Sequence, residues 1–346
     1  EERMASESEE WVKNKRNRGQ KKMEEGEEPG NEPDELEKPK KKKETDVERA
    51  WLNYSQNAYS QGVALWGGVA TTVKPLKSGK KKELKIIGKY GMDKNPAKHI
   101  ALILPQCPGL ETLTLKDGAC DAVGEGEDQS SSSVYGISYI AASLSDSSLS
   151  MRLKVLCLHN NTIKCDGMKA LAPALRKMKS LTTLLLTKIE LGTEGTKELS
   201  FVLSEMRALT KLDLSSNRMG NDGANALANV LPDCKRLAEL IVKTQITSTF
   251  SNTSIHSSGA EGFANALPDC KSLTKFDISG NKIKNEGALV LGEALSNVYA
   301  LTSINIKNNS ITEGKKKDDE DAKAFWKTLK KDKIKNQKKK KITLNF

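Results

Sequence analysis

Apolar and polar residues alternate through the middle of the chain in a run that recurs. Leu153, Leu181, Leu209 and Leu237 stand 28 residues apart, Leu273 follows after 36, and Leu301 after another 28. Each opens the same pattern: LKVLCLHNNTI from Leu153, LTTLLLTKIEL from Leu181, LTKLDLSSNRM from Leu209, LTKFDISGNKI from Leu273 and LTSINIKNNSI from Leu301. An earlier copy, LETLTLKDGAC, begins at Leu110. Apolar first, fourth and sixth places, such as Leu209, Leu212 and Leu214, leave alternating positions between them, the period of a strand with one buried face. Asn161, Asn217, Asn281 and Asn309 close the run, where an amide can bond the backbone of a turning chain and of its stacked neighbour. A Gly follows, at Gly167, Gly195, Gly223, Gly259 and Gly287, and leads into a helical pattern such as GANALANVLPDC. The pattern predicts one strand and one helix per unit.

These residues resemble the leucine-rich repeat, and the G-A-x-x-L-A-x-x-L helix half is similar to the ribonuclease-inhibitor subtype. The resemblance covers residues 84 to 313, because KELKIIGKYG with AKHIALILPQCP reads as a degenerate first unit. It implies an α/β solenoid of horseshoe form, with a parallel sheet on the concave face and helices on the convex face. Physics points the same way: one unit cannot bury its own apolar faces, whereas about seven stacked units bury one continuous core. Two units depart from the pattern. Ile189 and Gln245 replace the closing Asn, and Ile189 cannot make the amide bonds, which puts its turn in doubt. Cys107, Cys234 and Cys270 share one place after the helix and are read as small core residues.

Composition changes the picture only at the flanks. The net charge of +11 could suggest a polyanion partner, but residues 99 to 313 carry 21 Lys and Arg against 22 Asp and Glu. The surplus lies in residues 74 to 98 and 314 to 346. Residues 1 to 48, rich in Glu, Lys, Gly and Pro, are expected to be a disordered charged tail. Residues 49 to 83 are read as an N-terminal cap or linker, and 314 to 346 as a basic segment with a capping helix, DAKAFWKTLKK, and a last strand, KITLNF. No run is apolar enough to span a membrane, and the first residues do not read as a secretory signal. Six cysteines without a C-x-x-C pair suit a reducing compartment, so cytoplasmic residence is expected.

No phosphate-binding loop, dinucleotide glycine motif, H-E-x-x-H or G-x-S-x-G is present, and the three histidines, His99, His159 and His256, are scattered. Neither a catalytic residue nor a cofactor or metal site is assigned. Strand residues between the core leucines face outward and form the candidate partner surface. It includes Lys116, His159, Leu185, Asp213, Ile241, Lys243, Lys275, Asp277 and Asn305. Spacing also exposes two insertions, near 118 to 135 and 246 to 258, expected to rise from one rim; the second adds Phe250 to the surface. A solvated face and floppy insertions remain the plainer readings of both.

The leading expectation is a monomeric, non-enzymatic interaction scaffold or regulator that binds an unidentified protein. Relatives of this shape include ribonuclease inhibitors, the repeat domains of NOD-like receptors, and the Ran GTPase-activating protein. An alternative is therefore GTPase activation on a Ran-like small GTPase, although that family usually ends in an acidic tail and this chain ends basic. A third is nucleic-acid association through the lysine runs, weakened by the absence of interleaved aromatics. One run, Lys40, Lys41, Lys42 and Lys43, also resembles a nuclear-import signal, so a nuclear fraction is expected besides the cytoplasmic one.

Overall fold

The computed structural model describes residues 82–87, 96–107, 109–120, 132–145, 147–244, 254–294, 298, 300–311 and 343–345. Its strands are β1 (Glu83–Ile87), β2 (Thr112–Lys116), β3 (Val155–His159), β4 (Thr183–Thr187), β5 (Lys211–Asp213), β6 (Glu239–Ile241), β7 (Lys275–Asp277), β8 (Ser303–Asn305) and β9 (Thr343–Asn345). They form one open nine-stranded sheet in chain order, and every neighbouring pair is parallel. The helices are α1 (Pro96–Ile103), α2 (Ser132–Leu144), α3 (Ser147–Ser150), α4 (Lys164–Lys177), α5 (Gly192–Leu203), α6 (Gly220–Val230), α7 (Ser257–Ala266) and α8 (Lys284–Ala294). Strand and helix alternate, and α4 to α8 pack side by side in sequence. The fold is a leucine-rich-repeat solenoid with its sheet on one face and its helices on the other.

The repeating leucines explain this arrangement. Leu156, Leu184, Leu212 and Leu240 pair across β3 to β6 and are all fully buried. They meet helix residues such as Leu171, Leu199 and Leu227 in one core that runs from Leu84 to Ile306. Helices sit close because glycine starts them: a Cβ on Gly195 would lie 3.2 Å from Cys165 Cα.

Three helices end in a short 3-10 turn with Pro early in it, where the missing N–H costs little, and Cys107, Cys234 and Cys270 follow these turns. Cys107 and Cys270 are buried as expected, while Cys234 is only half-buried. Burial pushes the Cys107 and Cys234 thiols up to about 11 and the Cys270 thiol up to about 12.

Each closing Asn is a backbone clamp. Asn217, 1% exposed, accepts from the Ile189 amide at 2.9 Å and donates to the carbonyls of Leu186 and Leu214. Asn161 does the same for the Cys120 amide (2.9 Å) and the Leu115 carbonyl (3.1 Å), and Asn281 for the Ile255 amide (3.1 Å) and the Val242 carbonyl (3.0 Å). The doubt over Ile189 is resolved by its own backbone. Its carbonyl accepts from the Ile163 and Lys164 amides at 3.2 and 3.0 Å, while its side chain fills the core. Lys188 and Glu190 beside it keep left-handed φ of 54° and 56°, matching Ser216 and Arg218 one repeat on.

The other departure, Gln245, lies outside the described residues. Next to it Thr244 stands at the place where Lys188, Ser216 and Asn308 are left-handed. β-Branched residues resist that conformation. Its neighbour Gly280 takes it, at φ 73°, and a Cβ there would lie 1.9 Å from the Thr244 oxygen.

Helix α2 begins at Ser132 and α7 at Ser257, inside the expected segments, and α3 takes up extra length after α2. Residues 121–131 and 245–253 lie outside the described residues, as do 1–81 and the expected capping helix.

Candidate partner-binding surface

Strand register sorts the outward residues into rows. The central row runs Lys85, Thr114, Cys157, Leu185, Asp213, Ile241, Asp277 and Asn305. Five of the residues singled out from the sequence, Leu185, Asp213, Ile241, Asp277 and Asn305, are thus consecutive neighbours, about 4.8 Å apart per strand. Lys275 belongs to the row on one side, with Lys211 and Glu239. Lys116 and His159 pair in the row on the other side, and Lys243 follows β6 just beyond its strand. Phe250 lies outside the described residues.

Much of the polar display is already internally bonded. Asp213 Oδ1 accepts from the Ser215 amide (2.9 Å) and hydroxyl (2.5 Å), and Asp277 Oδ1 accepts from the Ser279 amide (2.9 Å) and hydroxyl (2.6 Å). Asn305 Nδ2 donates to Asp277 Oδ2 at 3.0 Å, and Lys211 pairs with Glu239 at 3.0 Å. The sequence reading missed these Asp-x-Ser turns, although the twin DLS and DIS runs were the signal for them. They hold two carboxylates in fixed directions on either side of Ile241.

The β2 to β4 end of the face is close to neutral. His159 shares a hydrogen bond of 2.5 Å with the Thr187 hydroxyl, and desolvation, then Lys116, holds its pKa below the usual value. Cys157 is buried, and desolvation raises its thiol. With Leu185 half-buried beside it, this end offers apolar contact, whereas β5 to β7 offer charge of both signs.

Among the described residues no three His, Cys, Asp or Glu side chains gather as metal ligands would. Nor is any described helix long and apolar enough to cross a membrane. The arrangement can present a rigid, mixed surface.

Comparison with known proteins follows the same line. Residues 206–228 and 269–292 match the Leucine Rich repeat family model. No curated protein matches the chain. Among solved structures it is similar to a Bacteroides fragilis structural-genomics target at 16% identity and TM-score 0.40, covering 86% of this chain and 82% of that one. A yeast Rad7 and Elc1 complex follows at 10% and 0.35, covering 82% and 79%. An internalin of Listeria monocytogenes stands at 14% and 0.22, covering 79% and 88%. Two stretches of the chain thus match the leucine-rich repeat, and the ladder of strands and asparagines that joins them has the architecture of a leucine-rich-repeat solenoid.

Proposed function

We propose that the protein is a non-enzymatic interaction scaffold or regulator, of the ribonuclease-inhibitor-like subtype, that binds a partner protein on its strand face. One observation carries this: Leu185 and Ile241 lie in a single register row with the serine-braced carboxylates of Asp213 and Asp277 between and beside them. Apolar side chains set in a frame of directed polar groups are what protein recognition uses, and an unbroken core behind them keeps the frame rigid. The inserted segments before α2 and α7 would extend the contact along one rim. Residues 49 to 83 and 314 to 346 serve as caps in this reading, and residues 1 to 48 as a charged tail.

Affinity capture from native lysate tests it, with the full chain beside a Leu185→Glu, Ile241→Glu variant of equal melting temperature. Specific partners should be lost from the variant. If every one is retained, the strand face is not the binding surface. GTPase activation rests on resemblance alone; faster GTP hydrolysis by a Ran-like GTPase on adding the protein would favour it. We infer cytoplasmic residence with a nuclear fraction that depends on Lys40 to Lys43, which a fluorescent fusion with those lysines changed to Ala would read directly.

A further inference from the structure

Phe201 is 68% exposed, the most exposed large apolar side chain among the described residues. It sits on α5, in the helical layer, away from the strand face. The Arg176 to Glu205 ion pair, 3.0 Å, fixes how α4 lies against α5. Pro173, which is also exposed, holds the place on α4 that Phe201 holds on α5, 28 residues on. The repeat does not demand an apolar residue there: the equivalent outward places on α6, α7 and α8 hold Asn229, Asn265 and Glu293.

Charge is graded along these two helices. Toward their C-terminal ends lie Lys177, then Lys179 and Arg207 at equivalent places in the turns that lead to β4 and β5. All three are exposed, and none has an ionic partner among the described residues. Toward their N-terminal ends lie carboxylates: Asp166, bonded to Lys169, Glu194, bonded to Lys197, and Glu198 one turn before Phe201. Cations near helix C-termini are ordinary, and so is a single exposed Phe. Here both stand on two packed helices, and an aromatic side chain with exposed cations has the composition of an interaction hot spot.

We propose that this α4–α5 patch is a second docking surface, and that it takes an acidic segment of a partner protein carrying an apolar side chain for the Pro173 and Phe201 platform. Only a polypeptide can divide its chemistry to suit the gradient, setting carboxylates at Lys177, Lys179 and Arg207 and an apolar group at Phe201. A phosphate array, in RNA or on an anionic membrane, would press its charge on Glu198 and Glu205 as well. The surface is separate from the strand face, so the two proposals stand or fall independently.

The test is fluorescence anisotropy with the full chain and a short Asp- and Glu-rich peptide bearing one central Leu. Saturable binding is expected, weakened by added salt as screening shortens the reach of surface charge. Phe201→Ala should weaken it about tenfold or more, as loss of an anchor does, with no change in melting temperature. Arg207→Glu should weaken it too, whereas Ile241→Glu should not. Absence of saturable binding, or equal affinity for Phe201→Ala, overturns the proposal. So does displacement of the peptide, dependent on Phe201, by a single-stranded RNA oligonucleotide or by phosphatidylserine-containing vesicles at lower concentration than unlabelled peptide.

Discussion

Replacing Asn217 by Ala should damage the fold much more than the same change at Asn309, although both are buried in the same place of their repeats. Asn217→Ala strips the buried Ile189 amide of its partner and removes donors from the Leu186 and Leu214 carbonyls. An orphaned buried amide costs about 1–3 kcal/mol and each lost donor bond about 0.5–1.5, which sums to roughly 2–6 kcal/mol. Asn309 also donates, to the Ile278 and Ile306 carbonyls at 3.0 and 2.9 Å, but its buried Oδ1 has no partner among the described residues. Removing that unsatisfied oxygen offsets the lost bonds, so the net change should stay within about 2 kcal/mol of zero. At about 2–4 °C per kcal/mol for a domain of this size class, thermal melts followed by circular dichroism will separate the two. Asn281→Ala, which loses the Ile255 amide contact, controls for position in the stack and should sort with Asn217→Ala. If Asn309→Ala melts as low as either, the clamp does not act through the amides it covers.

Two further outcomes follow from backbone and burial. Gly280→Ala must hold a left-handed φ of 73° and push its Cβ away from a Thr244 oxygen 1.9 Å distant, so it should cost well over the ~1 kcal/mol of the conformation alone. Gly192→Ala, at φ 66° with open space around it, should cost only about that much, and equal urea midpoints for the two would refute the clash. The buried thiols favour their neutral form, with Cys107 raised to about 11 and Cys270 to about 12 from 9.0. Because the folded values lie above the unfolded one, the stability they contribute is complete below pH about 9 and is lost as pH rises through about 11 to 12. Denaturant titrations at stepped pH should show Cys107→Ala and Cys270→Ala losing less stability than the native chain across that window; parallel curves would mean the thiols are solvated.

The strand ladder could be read in the sequence because the inward places are filled by Leu, Ile, Val or Phe, an alternation that fixes which face is buried. The outward row could be read for the same reason. What the sequence did not disclose depends on a neighbour one repeat away. Ile189 looked like a broken turn because its rescue comes from its own carbonyl reaching Ile163 and Lys164. The pairing of Asn305 with Asp277 needs β7 and β8 side by side. Phe201 sits two residues before the end of α5, and only the packing of α4 against α5 decides that it faces out. Where α2 begins was not legible either, since Ser132 gives no strong sign of a helix start.

The asparagine clamps also give the stack a direction. Asn161 completes the backbone around Cys120, Asn217 that around Ile189, and Asn281 that around Ile255. The hydroxyls of Thr182, Thr210, Thr274 and Thr302 likewise each reach back one repeat, to the carbonyls of Lys154, Thr182, Ala238 and Thr274. In these repeats part of the backbone is therefore completed by the unit that follows. During synthesis a repeat leaving the ribosome holds unsatisfied amides until its successor arrives, so growth from the N-terminus always carries one incomplete unit at its tip. Shortening the chain from its C-terminal side recreates that tip, whereas shortening it from the other side frees a different set of amides, those that reach back, such as Lys154 and Val155 on the Glu111 carbonyl.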